Sequence, residues 1–205
     1  GLADAQEALK VAPGSPRALQ CRGATLWQGG EFARAAADFT QALAVSDELA
    51  APLLRARGQA RFYEGRLEAA LADFERAAAL GDDGSERLFL QLWQAFSLAR
   101  LQRPLPAPLQ QAAAAAPDGD WPRPALALLA GLRTPEQVLA RIDATLQGDE
   151  RELALAEAWF YIGQWHRARG DTTAARTAFE RVRAQGIAMY VEHVAAGFEL
   201  RQLAR

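Results

Sequence analysis

A 35-residue recurrence of glycine, alanine and phenylalanine constrains the fold of this chain more than any other feature of its sequence. The first copy contains Gly23, Gly30, Ala35, Phe39 and Ala42. The same residue types return 35 positions later as Gly58, Gly65, Ala70, Phe74 and Ala77. At three times that offset the chain carries Gly163, Gly170, Ala175 and Phe179, with Val182 in the last place. A period of this length is typical of a repeat architecture.

Each recurring residue has a mechanical meaning in a pair of antiparallel helices. We expect the first glycine and the first alanine to let the two helices approach closely, because neither fills the space between them. The second glycine follows the first helix, where a left-handed residue ends it. The phenylalanine lies four residues after the alanine, on the apolar face of the second helix. The pattern predicts regular hairpins over residues 16–46, 51–81 and 150–186.

The residues between the second and third regular hairpins keep the period but lose its signature. One degenerate repeat is predicted over residues 86–117, interrupted by three prolines within 104–108. A second is predicted over residues 121–147, where Thr134 is the expected cap of a helix that has Pro135 at its first position. At the two ends, the sequence predicts a partial repeat over 2–12 and a capping helix over 189–204.

The composition agrees with an all-α chain and narrows the classes of partner. Half of the 205 residues are hydrophobic, and alanine and leucine dominate over the residues that favour strands. The 23 basic and 25 acidic residues give a net charge of −2 and form no run of either sign, which disfavours a nucleic-acid partner or an anionic membrane surface. No apolar stretch reaches the roughly 20 residues that a transmembrane helix needs.

The spacing of small, glycine and aromatic residues resembles the signature of the tetratricopeptide repeat. The resemblance implies an all-α superhelical array of antiparallel helix pairs, a single array over residues 1–205 that ends in a C-terminal capping helix. The proline with which that family ends its second helix is replaced here by Asp47, Asp82 and Ile187. The lysine and asparagine clamp of chaperone-binding members is not matched, because Gln20 and Ala24 occupy its leading positions.

In that family the first helices line a concave face, and the phase of the glycines indicates which positions point inward. These are Arg17, Gln20, Trp27, Gln28, Arg55, Gln59, Phe62, Tyr63, Arg87, Gln94, Phe160, Gln164 and Arg167. Arginine, amide and aromatic side chains suit a peptide or protein ligand, since they bind carboxylates, backbone groups and apolar side chains. The alternative is that they are ordinary solvated positions, with some rings packed between helices.

Residues with the chemistry for catalysis are few. His166 and His193 have no partner at ligand spacing on their own helices, and Cys21 is expected to be a partly buried small residue. The glycines at 29 and 30 predict a hairpin turn, not a phosphate loop. We therefore expect no enzyme activity, no cofactor and no metal site.

The C-terminal part of the chain carries a narrower resemblance. It has the sequence FYIGQ from Phe160, a Gly170–Asp171 turn and a VEH motif from Val191. These features, with LFLQLWQAFSLARL over 88–101 and GDWPRPALALLAGLRTPEQVLARI over 119–142, resemble the NlpI-type tetratricopeptide lipoproteins of Gram-negative bacteria. The likeness covers about residues 16–203.

This second resemblance implies a periplasmic outer-membrane lipoprotein whose anchor would lie upstream of residue 1. It also implies a homodimer and an adaptor role, in which the protein brings cell-wall hydrolases to a protease or to synthesis complexes. The competing hypothesis is a cytoplasmic scaffold, or a fragment of a larger regulatory or secretion protein. An upstream signal peptide with a lipid-box cysteine would favour the first hypothesis, and continuing repeats or a further domain the second.

Overall fold

The computed structural model describes residues 2–81, 84–186 and 191–204, and every regular element within them is a helix. Within each of two units, described below, every helix packs on its neighbours in the chain, which is compatible with a helical repeat array. The prediction of an all-α fold is confirmed. The helices divide into two compact units, residues 1–101 and 102–205.

The described residues of unit 1 form six helices. They are α1 (Leu2–Val11), α2 (Pro16–Gln28), α3 (Phe32–Leu43), α4 (Ala50–Tyr63), α5 (Leu67–Leu80) and α6 (Ser85–Arg100). The closest pairs are α2 with α3 and α4 with α5, which are the two regular hairpins that the sequence predicts. The second helix of each hairpin packs on the first helix of the next, α3 on α4 and α5 on α6.

Unit 2 also contains six helices. They are α7 (Ala107–Ala115), α8 (Arg123–Leu129), α9 (Pro135–Thr145), α10 (Gly148–Ala168), α11 (Thr172–Ala184) and α12 (Val191–Leu203). Helices α10 and α11 form the third regular hairpin, and α12 covers α11 and part of α10. The predicted start of this last helix at Met189 lies outside the described residues. The boundary between the units falls inside the segment 86–117, so the hairpin predicted there stays a prediction.

Local signals explain several helix boundaries. Ser15 caps α2 by accepting a hydrogen bond from the Ala18 amide, and Pro16 follows at the first helical position. Thr134 and Gln137 form a reciprocal capping box at the start of α9. The three glycines that follow α2, α4 and α10 have φ values of 82°, 81° and 79°, the left-handed conformation that glycine adopts without steric cost: Gly30, Gly65 and Gly170.

The contact inside each regular hairpin joins a glycine on the first helix to a phenylalanine ring on the second. A Cβ atom placed on Gly58 would lie 2.6 Å from Cε1 of Phe74. The corresponding distances are 2.7 Å for Gly23 and Phe39, and 2.5 Å for Gly163 and Phe179. All three rings are fully buried or nearly so, and cannot move aside freely. The ring therefore fills the space that any other side chain at the glycine would need.

Beside this contact, the first two hairpins each carry an arginine–aspartate ion pair whose carboxylate is buried. Arg57 on α4 donates from Nε and Nη2 to the two carboxylate oxygens of Asp73 on α5, at 2.9 and 2.7 Å. Arg22 makes the same bidentate contact with Asp38 one repeat earlier, at 2.7 Å for both bonds. In the third hairpin the equivalent positions hold Ile162 and Ala178, which belong to the apolar core of unit 2.

The glycine contact predicts whether a substitution of Gly58 raises or lowers the free energy of unfolding. Alanine normally stabilises a helix relative to glycine by roughly 0.5–1 kcal/mol. We expect Gly58→Ala instead to lower the free energy of unfolding by about 1–3 kcal/mol, because the new methyl group collides with the buried Phe74 ring. Urea unfolding followed by circular dichroism measures the change.

A matched control is Gly14→Ala, because a Cβ atom at Gly14 meets no atom within 4 Å. The double variant Gly58→Ala with Phe74→Leu should lose less than the two single changes added together, since the smaller side chain relieves the collision. Stabilisation by Gly58→Ala alone contradicts the close contact.

Candidate partner-binding surface

The first helices of unit 1 form one continuous side of that unit. Helix α2 contacts α4, and α4 contacts α6, whereas no comparable contact joins α3 and α5 in the described part of the chain. The exposed side chains of α2, α4 and α6 are named here the first-helix surface.

The structure sorts the thirteen residues predicted for the concave face by their exposure. The exposed ones are Arg17, Gln28 and Arg87, and the half-buried ones are Gln20, Arg55, Gln59 and Arg167. The buried ones are Trp27, Phe62, Tyr63, Gln94, Phe160 and Gln164. The exposed and half-buried residues of unit 1 lie on α2, α4 and α6. The partner-binding role of the whole set stays a prediction.

The buried aromatic residues of unit 1 belong to a connected cluster between the helices. Tyr63 packs edge to face on Trp27, with ring centroids 5.9 Å apart, and stacks on Phe32 at 5.2 Å. Phe62 contacts Tyr63 and Trp93, both at 5.3 Å. Such pairs stabilise a core beyond the area that they bury. These rings hold the first helices together and are not available to a partner in this conformation.

One arginine closes the aromatic cluster at the end of α6. The Arg100 guanidinium lies 4.3 Å from the centroid of the Phe62 ring, a cation–π geometry. Burial lowers the pKa of Arg100 to about 10, which leaves the group charged at neutral pH. The sequence pattern did not indicate this contact, because position 100, which lies 35 residues after Gly65, is where the degenerate repeat loses the recurring glycine.

The predicted residues of unit 2 are covered by the last helix. The Gln164 side-chain amide donates to Oε1 of Glu199 on α12 at 2.8 Å. Arg167 forms an ion pair with Glu199 and donates to Oε1 of Gln202 at 2.6 Å. Phe160 is fully buried, with its ring centroid 5.9 Å from that of Phe179. The polar side chains of Gln164 and Arg167 therefore attach α12 to α10.

Unit 2 also contains a cluster of acidic and aromatic side chains that sequence reasoning missed. The Trp121 indole donates to Oε2 of Glu157 at 2.6 Å, and its ring stacks on Tyr161 at 5.9 Å. Burial raises the pKa of Glu157, against the effect of the Trp121 hydrogen bond. Burial and the nearby Glu157 charge raise the pKa of Glu192, at the start of α12, to about 7. Burial, with both carboxylates, raises the pKa of Tyr161.

The candidate chemical residues lie apart from one another. Cys21 is exposed on α2, and His166 has its Nδ1 atom 3.5 Å from Oδ2 of Asp171. His193 is buried, and burial together with the Arg183 charge lowers its pKa. Within the described residues, no group of three or more His, Cys, Asp or Glu side chains is arranged to hold a metal ion. None of the helices in the described ranges combines the length and hydrophobicity needed to cross a bilayer.

The raised pKa of Glu192 predicts how the stability of unit 2 depends on pH. The folded state holds the Glu192 proton more tightly than the unfolded state, whose pKa is near 4.5. The stabilising contribution is therefore complete below about pH 4.5 and is lost as the pH rises through about 7. We expect the free energy of opening, measured by deuterium exchange at the amides of α12, to be lower at about pH 8 than at about pH 5.5, after correction for intrinsic exchange rates.

The variant Glu192→Gln should remove most of this pH dependence, because a neutral amide does not titrate. The variant Glu180→Gln, at an exposed glutamate of α11, is the matched control and should leave it unchanged. An identical pH profile for Glu192→Gln and the unaltered chain would contradict the assignment to Glu192.

Comparison with known proteins adds no relative to this description. No protein-family model matches the chain, and no curated protein matches it. Its fold and its candidate surfaces therefore rest on the residues and contacts described above.

Proposed function

We propose that this chain is a non-catalytic scaffold that binds an extended peptide or protein segment on the first-helix surface. The observation that carries the proposal is the placement of Arg17, Arg55 and Arg87, which are exposed or half-buried, on three successive first helices that the aromatic cluster joins. The packed rings fix the helices beneath the surface, so that little order has to be created when a partner binds.

The chemistry of this surface favours a partner with carboxylates. Guanidinium groups bind carboxylates through paired, charge-assisted hydrogen bonds. Neighbouring packed helices lie about 8–10 Å apart, and an extended peptide advances about 3.3 Å per residue. Acidic side chains at roughly every third position of an extended peptide would thus match the separation of the helices. Gln28 and Gln59 would add hydrogen bonds to the peptide backbone.

The ion pair that Arg55 forms within the chain is weak enough for such a partner to replace it. Arg55 lies 3.5 Å from Glu86, and both side chains are substantially exposed, at 43% and 56%. An exposed pair of this kind contributes about 0–1 kcal/mol. A partner carboxylate could therefore replace Glu86 at little cost.

At the family level, we propose a tetratricopeptide repeat array that acts as an adaptor in the bacterial cell envelope, with cell-wall hydrolases or a protease as partners. The repeat spacing supports the first part, and the FYIGQ, Gly170–Asp171 and VEH motifs support the second. Homodimerisation and a lipid anchor upstream of residue 1 belong to the same proposal.

Peptide selection tests the binding surface directly. We expect the chain to enrich peptides with spaced acidic residues from a displayed library of random peptides. The double variant Arg55→Ala with Arg87→Ala should weaken binding of a selected peptide by about tenfold or more, since hydrogen bonds to charged groups contribute roughly 1.5–3 kcal/mol. Fluorescence anisotropy with a labelled peptide measures the affinity.

The matched control is Arg34→Ala with Arg76→Ala, which removes the same charge from exposed positions on the second helices α3 and α5. Equal losses in the two double variants would indicate a general charge effect and contradict the first-helix surface. Thermal melts of both variants should stay close to that of the unaltered chain.

Cell fractionation tests the compartment. An antibody raised against this chain should detect the protein in the envelope fraction of the source bacterium. Detection in the cytosolic fraction alone would contradict the envelope proposal and favour a cytoplasmic scaffold, without affecting the proposal for the peptide surface.

A further inference from the structure

A cationic cleft of about 350 Å³ lies on unit 1 between α3 and the α4–α5 connection. One wall is a face of α3, and two arginines form the other, Arg61 in the last turn of α4 and Arg66 at the start of α5. The α3 wall consists of Ala33, Ala36, Ala37, Thr40 and Gln41. None of the residues that line the cleft is acidic.

The charges around the cleft do not cancel. Asp73 is 2% exposed and accepts hydrogen bonds from both Arg57 and Arg61, with Arg61 Nη1 at 2.7 Å. Arg66 Nη1 lies 3.8 Å from Oε2 of Glu64, which is beyond hydrogen-bonding distance. The lining of the cleft thus carries two guanidinium groups and no carboxylate, and Asp73, which pairs with Arg61, already pairs with Arg57 as well.

Arg61 occupies a position that is apolar in the neighbouring hairpins. Its counterparts 35 residues before and after are Leu26 and Phe96, and both are buried. Burial lowers the pKa of Arg61, and the charges of Arg57 and Arg66 act in the same direction against that of Asp73. The third regular hairpin has His166 at this position, so an arginine there is particular to the second hairpin, and departures from a repeat are expected at functional sites.

The α3 wall of the cleft carries no charged side chain, whereas the equivalent positions of the other hairpins include charged residues. The α3 positions Ala33 and Thr40 correspond to Glu68 and Glu75 on α5, one repeat later. An arginine pair facing α5 would therefore meet acidic side chains, whereas the pair facing α3 meets alanine, threonine and glutamine. The small α3 side chains also leave the space that a ligand needs.

The guanidinium of Arg61 is held in place before any ligand arrives. Asp73 fixes it from one side, and Asp73 is itself fixed by Arg57, whose Nη1 donates to the Thr40 hydroxyl at 3.2 Å. Arg66 is 60% exposed and can close over a bound group. Because Asp73 already fixes Arg61, less side-chain order has to be created when an anion binds.

We propose that this cleft binds a carboxylate group, presented either by an acidic side chain of a peptide or by a free dicarboxylate. A single carboxylate has two oxygens that can accept hydrogen bonds from the two guanidinium groups of the lining. A phosphate carries close to two charges at neutral pH and would bring the larger negative charge close to Asp73, which already pairs with Arg61. The proposal does not rest on the first-helix surface, whose arginines are different residues.

Nuclear magnetic resonance titration of the full ¹⁵N-labelled chain tests the site with three probes. These are a tripeptide with a central glutamate and blocked ends, glutarate, and inorganic phosphate. We expect saturable shifts of the Ala36, Ala37 and Arg66 amides with at least one carboxylate probe, and the probe that binds more tightly identifies how the carboxylate is presented. Arg66→Gln should weaken this binding by about tenfold.

A second variant supplies a competing carboxylate from the chain itself. Ala37→Glu places a carboxylate on the exposed part of the α3 wall, where it should pair with the arginines and abolish binding of the probes. Ala72→Glu, at the exposed equivalent position one repeat later, and Arg76→Gln are the matched controls and should bind as the unaltered chain does.

Three results would overturn the proposal. They are the absence of saturable shifts at these amides with both carboxylate probes, unchanged binding by Arg66→Gln and Ala37→Glu, and tighter binding of phosphate than of either carboxylate. Loss of binding in Arg55→Ala with Arg87→Ala would also count against a separate site.

Discussion

The contact between a bare glycine backbone and a phenylalanine ring sets the geometry on which the rest of each unit depends. It joins residues that are 16 positions apart in all three regular hairpins, and the ring occupies the volume of the missing side chain. Two residues thereby fix the distance between two helices, because dense packing leaves the ring no alternative position. Equal hairpins can then pack on one another in the same way, as α3 does on α4 and α5 on α6.

The same contact explains why the hairpins accept either a polar or an apolar pair beside it. Arg57 and Asp73 immediately precede Gly58 and Phe74, so the fixed helix distance places their side chains opposite each other. Burying two charges costs desolvation that the bidentate pairing offsets, and an apolar pair of suitable volume can be equally stable. Ile162 and Ala178 occupy the same positions in unit 2, where the surrounding core of α8, α9 and α10 is apolar.

The sequence predicted the helices that have local signals. It did not predict which side chains a later helix covers. The glycine spacing predicted the hairpins, and Thr134 with Pro135 predicted the start of α9. The helical phase indicates the direction of a side chain, but it does not indicate whether a later helix covers that side. The phase predicts Gln164 and Arg167 on a concave face, and in the structure α12 provides their partners. The Arg57–Asp73 pair did have a signal, the recurrence of Arg22 and Asp38.

The positions that the repeat leaves unconstrained are the ones that distinguish one hairpin from the next. Once glycine and phenylalanine fix the helices, the side chain at position 61 can change from the leucine or phenylalanine of its neighbours to arginine, provided that its charge is compensated. Asp73 supplies that compensation, but it already pairs with Arg57. A second cation on one carboxylate leaves positive charge at the cleft, which the first regular hairpin, with Leu26 at this position, does not have.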